Sequence, residues 1–285
     1  MTKKYDLIFG LGAACSCSQA LRAAHLQLLS FPFDWVVPRL DCASYDNDLL
    51  HRVSSICNDF PDWFRKEDFH FRKDPKTNGM LDYFNERLGL VFLHDFPCGV
   101  PFDESFPAVQ AKYRRRIDRF IHLLRHSRKV LVVRIERPDL DHTPPLAHFQ
   151  SAKAELTAKF PWVDFDFLAF RPLPGIAFED RSVERPETWL TCIAFDYRSK
   201  KPGAQPIAPN FRELTDALQA LATVREYRTR DEIRRHRQSE LQKKLAETGC
   251  RNQFEYRIFK LKRKLARHLP FLFQAPTPHP APSHK

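Results

Sequence analysis

Five short apolar runs separated by longer amphipathic stretches constrain this chain more than any other feature. The runs are Tyr5–Phe9, Leu88–Leu93, Lys129–Ile135, Val163–Phe170 and Trp189–Phe195. Apolar residues recur at helical spacing in Cys15–Leu28, Tyr45–Ile56, Ala108–His126, Leu146–Phe160 and Asn210–Leu221. Strands that are apolar throughout, without alternation, suit a sheet covered on both faces. The order predicts an α/β fold: three layers, with a mostly parallel sheet and helices on both faces. Asp59–Gly79 and Arg171–Glu187, which contain Pro and acidic residues, read as surface loops. No internal repeat is visible.

The first run breaks at glycine, in YDLIFGLGAACSCSQALRAAHL. Leu7, Ile8 and Phe9 read as strand, Gly10 and Gly12 as turn, and Ala20, Leu21 and Leu28 as a helix face. Cys15 then lies at or near a helix N-terminus, where unpaired N–H groups and the positive end of the macrodipole converge. A thiol there is expected to ionise more readily and to act as a nucleophile. A buried structural thiol is the competing reading of the same pattern. Cys17 would sit inside the first helical turn and point away.

A thiolate nucleophile needs a proton acceptor. Among the 12 histidines, His94 ends the apolar run LGLVFL and begins the loop HDFPCG. At the carboxyl end of a parallel strand it would share the functional edge of the sheet with Cys15. A histidine that merely caps a strand end is the alternative. Three carboxylates could orient the imidazole: Asp34 within SFPFDWVVP, the adjacent Asp95, and Asp196 after TWLTCIAF. Backbone N–H groups of the Gly12–Cys15 turn would hold an oxyanion. Asp139-x-x-His142 imitates an esterase acid–base pair but reads as a surface loop. His122 and His126 are four apart on a helix without the intervening Glu of a zinc protease, and suit a helix C-terminus.

The segments GLGAACSCSQAL, PFDW, HDF, KYRRRIDRF and VLVV, in this order, resemble the putative papain-like cysteine peptidases, a family of otherwise unknown function. Gly12 and Cys15 match its Gly-x-x-Cys, Pro32–Trp35 its Pro-Phe-Asp-Trp, and His94–Phe96 its His-Asp-Phe segment; the match covers roughly Tyr5 to Ile135. The resemblance implies a Cys–His hydrolase, with Cys15 as nucleophile and His94 as general base. It also implies an alternative fold, α+β and papain-like, with the cysteine on a central helix and the histidine on a following antiparallel sheet. Esterase and acyltransferase folds that carry a nucleophile after the first strand fit the alternation better. The expected substrate is therefore a peptide or another acyl compound, cleaved as a peptidase, esterase or amidase would. No cofactor and no metal is required. The Cys15-x-Cys17 and His94-x3-Cys98 pairs belong to no four-ligand spacing.

MTKKYDLIFGLG enters the first strand without a long apolar core or a small-residue cleavage site, so a signal peptide is not expected. The longest apolar runs are too short to span a bilayer. The chain reads as soluble and cytoplasmic, and its seven cysteines as reduced thiols. Gly-rich phosphate loops are absent. In KYRRRIDRF, Tyr113, Ile117, Phe120 and Leu124 form an apolar face and the arginines a solvated one.

Charge divides the chain. Arg225 to Arg267 carries 15 Lys+Arg and 6 Asp+Glu, so 15 − 6 = +9 of the total +11 lies there. This predicts a near-neutral hydrolase domain at 1–224, a basic helical arm at 225–269, and a disordered Pro-rich tail at 270–285. Arg225–Glu247 reads as a charged helix. In Phe254–Leu269 an apolar stripe is set among Lys and Arg, the make-up of an interfacial helix. That segment is a candidate for an anionic membrane surface, making the protein peripheral; nucleic acid fits less well. A helix docked on the domain is the simpler reading. A non-catalytic module tethered through the arm, with a structural thiol, is the alternative to an enzyme.

Overall fold

The computed structural model describes residues 3–12, 14–38, 48–61, 63–73, 79–138, 144–200, 209–224, 238, 241–242, 245–246 and 248–268. They fall into two units, Met1–Arg225 and Glu226–Lys285. The elements of the first run β1 (Lys3–Tyr5), β2 (Leu7–Gly10), α1 (Cys15–Ala23), β3 (Val36–Pro38), α2 (Asp48–Cys57), β4 (Phe69–Lys73), β5 (Met80–Asn85), β6 (Leu90–Pro97), α3 (Phe102–Arg125), β7 (Lys129–Ile135), α4 (Leu146–Lys159), β8 (Asp164–Pro172), β9 (Ser182–Glu187), β10 (Leu190–Phe195), α5 (Phe211–Leu221) and β11 (Ala222–Val224). The second unit contains α6 (Gln253–His268). The tail at 270–285 and most of Arg225–Glu247 lie outside the described residues.

The fold is mixed α/β. Five strands form the main sheet in the order β2-β7-β8-β10-β9, with β2, β7, β8 and β10 parallel and β9 antiparallel. Successive residues of its strands enter different cores, as a pleated sheet buried on both sides requires. Leu7, Phe9, Val130, Val132, Phe165 and Phe167 pack with α2, α3 and α4. Ile8, Leu131, Val133, Leu168 and Phe170 pack with α1 and α5. β1 and β11 form a separate parallel pair.

The sequence reading missed a second sheet. β3, β6, β5 and β4 form a four-stranded antiparallel sheet in the order β3-β6-β5-β4. The run Leu88–Leu93, expected in the parallel sheet, belongs here as β6. Its neighbours were hidden because β4 falls in Asp59–Gly79, where Pro and charge signalled a loop, and because β5 is short and polar-edged. The stretch Arg171–Glu187 likewise contains β9, whose four central residues are exposed and therefore lack an apolar signature. Helix α3 starts at Phe102 and runs through Pro107, which removes one intrahelical bond.

One irregularity in the second sheet matters below. Leu81 pairs with Phe96 and Tyr83 with Phe92, so Leu93, His94 and Asp95 stand opposite the single residue Asp82. Extra residues on one strand bend it and re-aim its side chains.

Candidate active site

Helix α1 begins at Cys15 directly behind β2, as the glycine turn predicts. The turn needs its glycines for space, and neither adopts a left-handed conformation. A Cβ on Gly10 would stand 2.8 Å from Cys17 Sγ; one on Gly12 would stand 2.9 Å from the same sulfur and 3.1 Å from the Ile135 carbonyl oxygen. Both glycines let the first turn of α1 press Cys17 against the sheet. Gly12→Ala is therefore expected to destabilise the unit by about 1–3 kcal/mol or more through overpacking. The check is a fall in the urea midpoint at unchanged m value; an unaltered midpoint would show that α1 can slide away.

The two thiols of the turn face opposite ways, since two residues on a helix differ by about 200°. Cys17 is buried, its Sγ lies 3.5 Å from the Val133 carbonyl, and burial pushes its thiol up to about 12 against the opposing pull of the Gly12 and Ile135 amides. It is an inert packing thiol. The Gly12 amide is thus directed at Cys17, and the oxyanion role expected of Gly12 finds no support in this placement. Cys15 is half-buried. Helix α1 has no side-chain hydrogen bond at its N-cap, Ala14, and no acid in its first turn.

Cys15, Ser18 and Arg22 share one side of α1, at helical spacing. That side meets the PFDW segment. Ser18 Oγ donates to the Asp34 carbonyl oxygen at 2.7 Å. Arg22 donates to Ser30 Oγ at 2.7 Å, and its guanidinium lies 5.6 Å from the centre of the Trp35 ring. Trp35 Nε1 donates to the same Ser30 hydroxyl at 3.2 Å. The Trp35 ring then meets His94 edge to face at 6.0 Å. The pairing of β3 with β6 places PFDW beside His94, since Val36 sits opposite Phe92. The motifs found in sequence therefore converge in space.

His94 arrives there by a different route from the one expected. It is not at the end of a parallel strand. It lies inside β6, in the bulged stretch opposite Asp82, and its side chain is exposed. The bulge turns Asp95 inward instead, where Lys112 Nζ and Tyr113 Oη (3.0 Å) donate to its carboxylate. Asp95 ties β6 to α3.

The other candidate carboxylates are also engaged. Asp34 is buried and accepts from Gln27 Nε2 at 2.6 Å and the Phe31 amide at 2.7 Å. Desolvation raises its pKa, against the pull of those donors. Its carboxylate closes the turn that carries Trp35. Asp196 accepts from Gly175 N at 3.0 Å and from Arg198, which hold it well below the ordinary carboxylate range. It follows β10, which β7 and β8 separate from β2, about 14 Å across the sheet at ordinary strand spacing.

A buried charge network under the turn was not anticipated. Arg134 Nη1 donates to the Leu11 carbonyl and to Asp48 Oδ2, each at 3.0 Å, and its other nitrogens bind Glu136. Arg52 Nε donates to Asp48 Oδ1 at 2.8 Å, and the Arg52 guanidinium lies 5.3 Å from the Phe33 ring centre. All four charged residues are at most 3% exposed. The signal was present: a charge inside the apolar strand KVLVVRIE must be paired if that strand is buried.

His126 Nδ1 lies 2.7 Å from the His122 carbonyl oxygen at the end of α3. Asp139, His142 and Cys42 lie outside the described residues. No group of three metal-ligating side chains occurs among the described residues. Two clefts there, around Asp166 and Trp189 and around Phe149 and Cys192, include neither Cys15 nor His94.

Comparison with known proteins bears on the same segments. The model of the family described as "Putative papain-like cysteine peptidase (DUF1796)" matches residues 6–166, more than half of the chain and all of the converging motifs. The chain belongs to this family. Its match ends within β8, so β9, β10, α5 and the basic unit lie beyond it. As the papain-like resemblance implies, His94 stands on an antiparallel sheet, while Cys15 follows the first strand of a largely parallel one. An uncharacterized protein, R408 of Acanthamoeba polyphaga mimivirus, is 27% identical over 146 residues, covering 46% of this chain and 61% of that protein. No solved structure matches.

Proposed function

We propose that the N-terminal unit is a thiol hydrolase or acyl-transfer enzyme with Cys15 as nucleophile and His94 as its general base. The observation that carries the reading is the convergence of the Cys15 side of α1 with PFDW and, through Trp35, with His94. His94 takes the thiol proton as Cys15 Sγ bonds to the acyl carbon, then returns it to the leaving group as the carbon–leaving-group bond breaks. Water, deprotonated by His94, then cleaves the thioester; another acceptor in its place gives acyl transfer. The Cys15 amide, at the uncapped start of α1, would hold the oxyanion. Asp34 is a positioning residue that acts through Trp35. The substrate class is an acyl compound: a peptide, ester or amide. Cys15 lies past the carboxyl end of β2, the side on which open α/β sheets carry their sites, and His94 joins it from the second sheet.

The test is iodoacetamide labelling across pH, with each cysteine mapped by mass spectrometry. Cys15 is expected to react well below the free-thiol value of about 8.5, and His94→Ala to move its onset toward that value. Cys17, pushed up to about 12, supplies a silent internal reference in the same turn. Onset of Cys15 labelling at the free-thiol value would leave the protein as a binding module with a structural thiol.

A further inference from the structure

The C-terminal helix α6 carries a surface that the hydrolase reading does not use. At about 100° per residue, Phe254, Ile258 and Leu261 fall on one side of it, and Tyr256 and Phe259 on the other. The structure treats the two sides unequally. Tyr256 and Phe259 are half-buried and stack at 6.5 Å, with Lys260 5.8 Å from the centre of the Tyr256 ring. The apolar stripe is exposed: Phe254 is 71% exposed, Ile258 38% and Leu261 56%.

We propose that α6 is a binding helix for an anionic membrane surface, with its exposed stripe in the headgroup–acyl boundary. Charge decides the kind of surface. Gln253–His268 contains six Lys+Arg and one acid, Glu255, so 6 − 1 = +5. Arg257 borders the stripe in sequence, where its long stem can lie along the acyl boundary and its charge reach lipid phosphates. A neutral leaflet would use the stripe alone, and a nucleic acid would use the basic side and leave Phe254 and Leu261 in water. An anionic lipid surface engages both. Among the described residues no helix is long and apolar enough to cross a membrane.

The test is co-sedimentation of the full chain with vesicles of phosphatidylcholine alone or doped with phosphatidylglycerol, at low and high salt. The chain should partition onto the doped vesicles only. Phe254→Glu/Leu261→Glu should lower that partitioning about tenfold or more, and Lys262→Gln/Lys264→Gln by a similar factor that high salt removes from the unsubstituted chain. The substituted apolar positions are exposed, so far-UV circular dichroism should be unchanged, and Cys15→Ser should bind as the unsubstituted chain does. Undiminished binding of the Phe254→Glu/Leu261→Glu chain overturns the proposal. So does displacement of the unsubstituted chain from vesicles by an oligonucleotide with no dependence on Phe254 or Leu261, which would make the arm a polyanion binder.

Discussion

Arg134→Ala is expected to cost about 3–5 kcal/mol, much of the 5–15 kcal/mol that typically holds a domain folded. Arg134 donates to the Leu11 carbonyl, to Asp48 and to Glu136 in an environment where all partners are almost wholly buried. Truncation leaves two carboxylates without their shared cation and the Leu11 carbonyl without its donor. The loss falls on the β2–α1 turn itself, so Cys15 should lose selective alkylation before the unit unfolds globally. Urea unfolding of Arg134→Ala, Asp48→Asn and the double variant gives the coupling directly. Costs below about 1 kcal/mol for the single variants would mean that water reaches the network and screens it. Arg134→Lys should recover only part of the loss, because an ammonium cannot span Leu11, Asp48 and Glu136 as a guanidinium fork does.

Cys15→Ala is expected to abolish covalent capture by an electrophilic acyl probe and to reduce turnover by about four orders of magnitude or more. Cys15 is half-buried and starts its helix, so the urea midpoint should barely move. His94→Ala should cost less, about 10²–10⁴-fold, because it removes a proton carrier and leaves the nucleophile in place. Retained capture in Cys15→Ala, with the label on Cys17 or Cys57, would sink the assignment. That outcome runs against the structure, since burial pushes Cys17 to about 12 and Cys57 to about 11.

How much of this site was legible in the chain can be judged residue by residue. Cys15 was, because an apolar strand, a glycine turn and a helical period in sequence leave little choice about where the helix starts. The inward turn of Cys17 was legible for the same reason, two residues being more than half a helical turn. His94 was found through its motif, although the argument from a parallel strand end was mistaken. β6 pairs antiparallel with β3 and β5, and an apolar run carries no mark of its partner's direction. Asp34 was legible as one of three candidate carboxylates, not by its partners. That those partners are Gln27 and the Phe31 amide depends on how the turn closes. The Arg134 network went unread because its members, Leu11, Asp48, Arg52 and Glu136, come from three separate elements.

The sequence by itself determined what local periodicity can determine: apolar strands alternating with helices, a cysteine at a helix start, a near-neutral stretch followed by a basic one. These follow from the side-chain repeat and from charge, which each segment carries alone. Only the tertiary structure decided which strand faces which, and so set His94 beside Trp35 and turned Asp95 into α3. Strand pairing and a bulge are settled by long-range packing, which no single segment encodes.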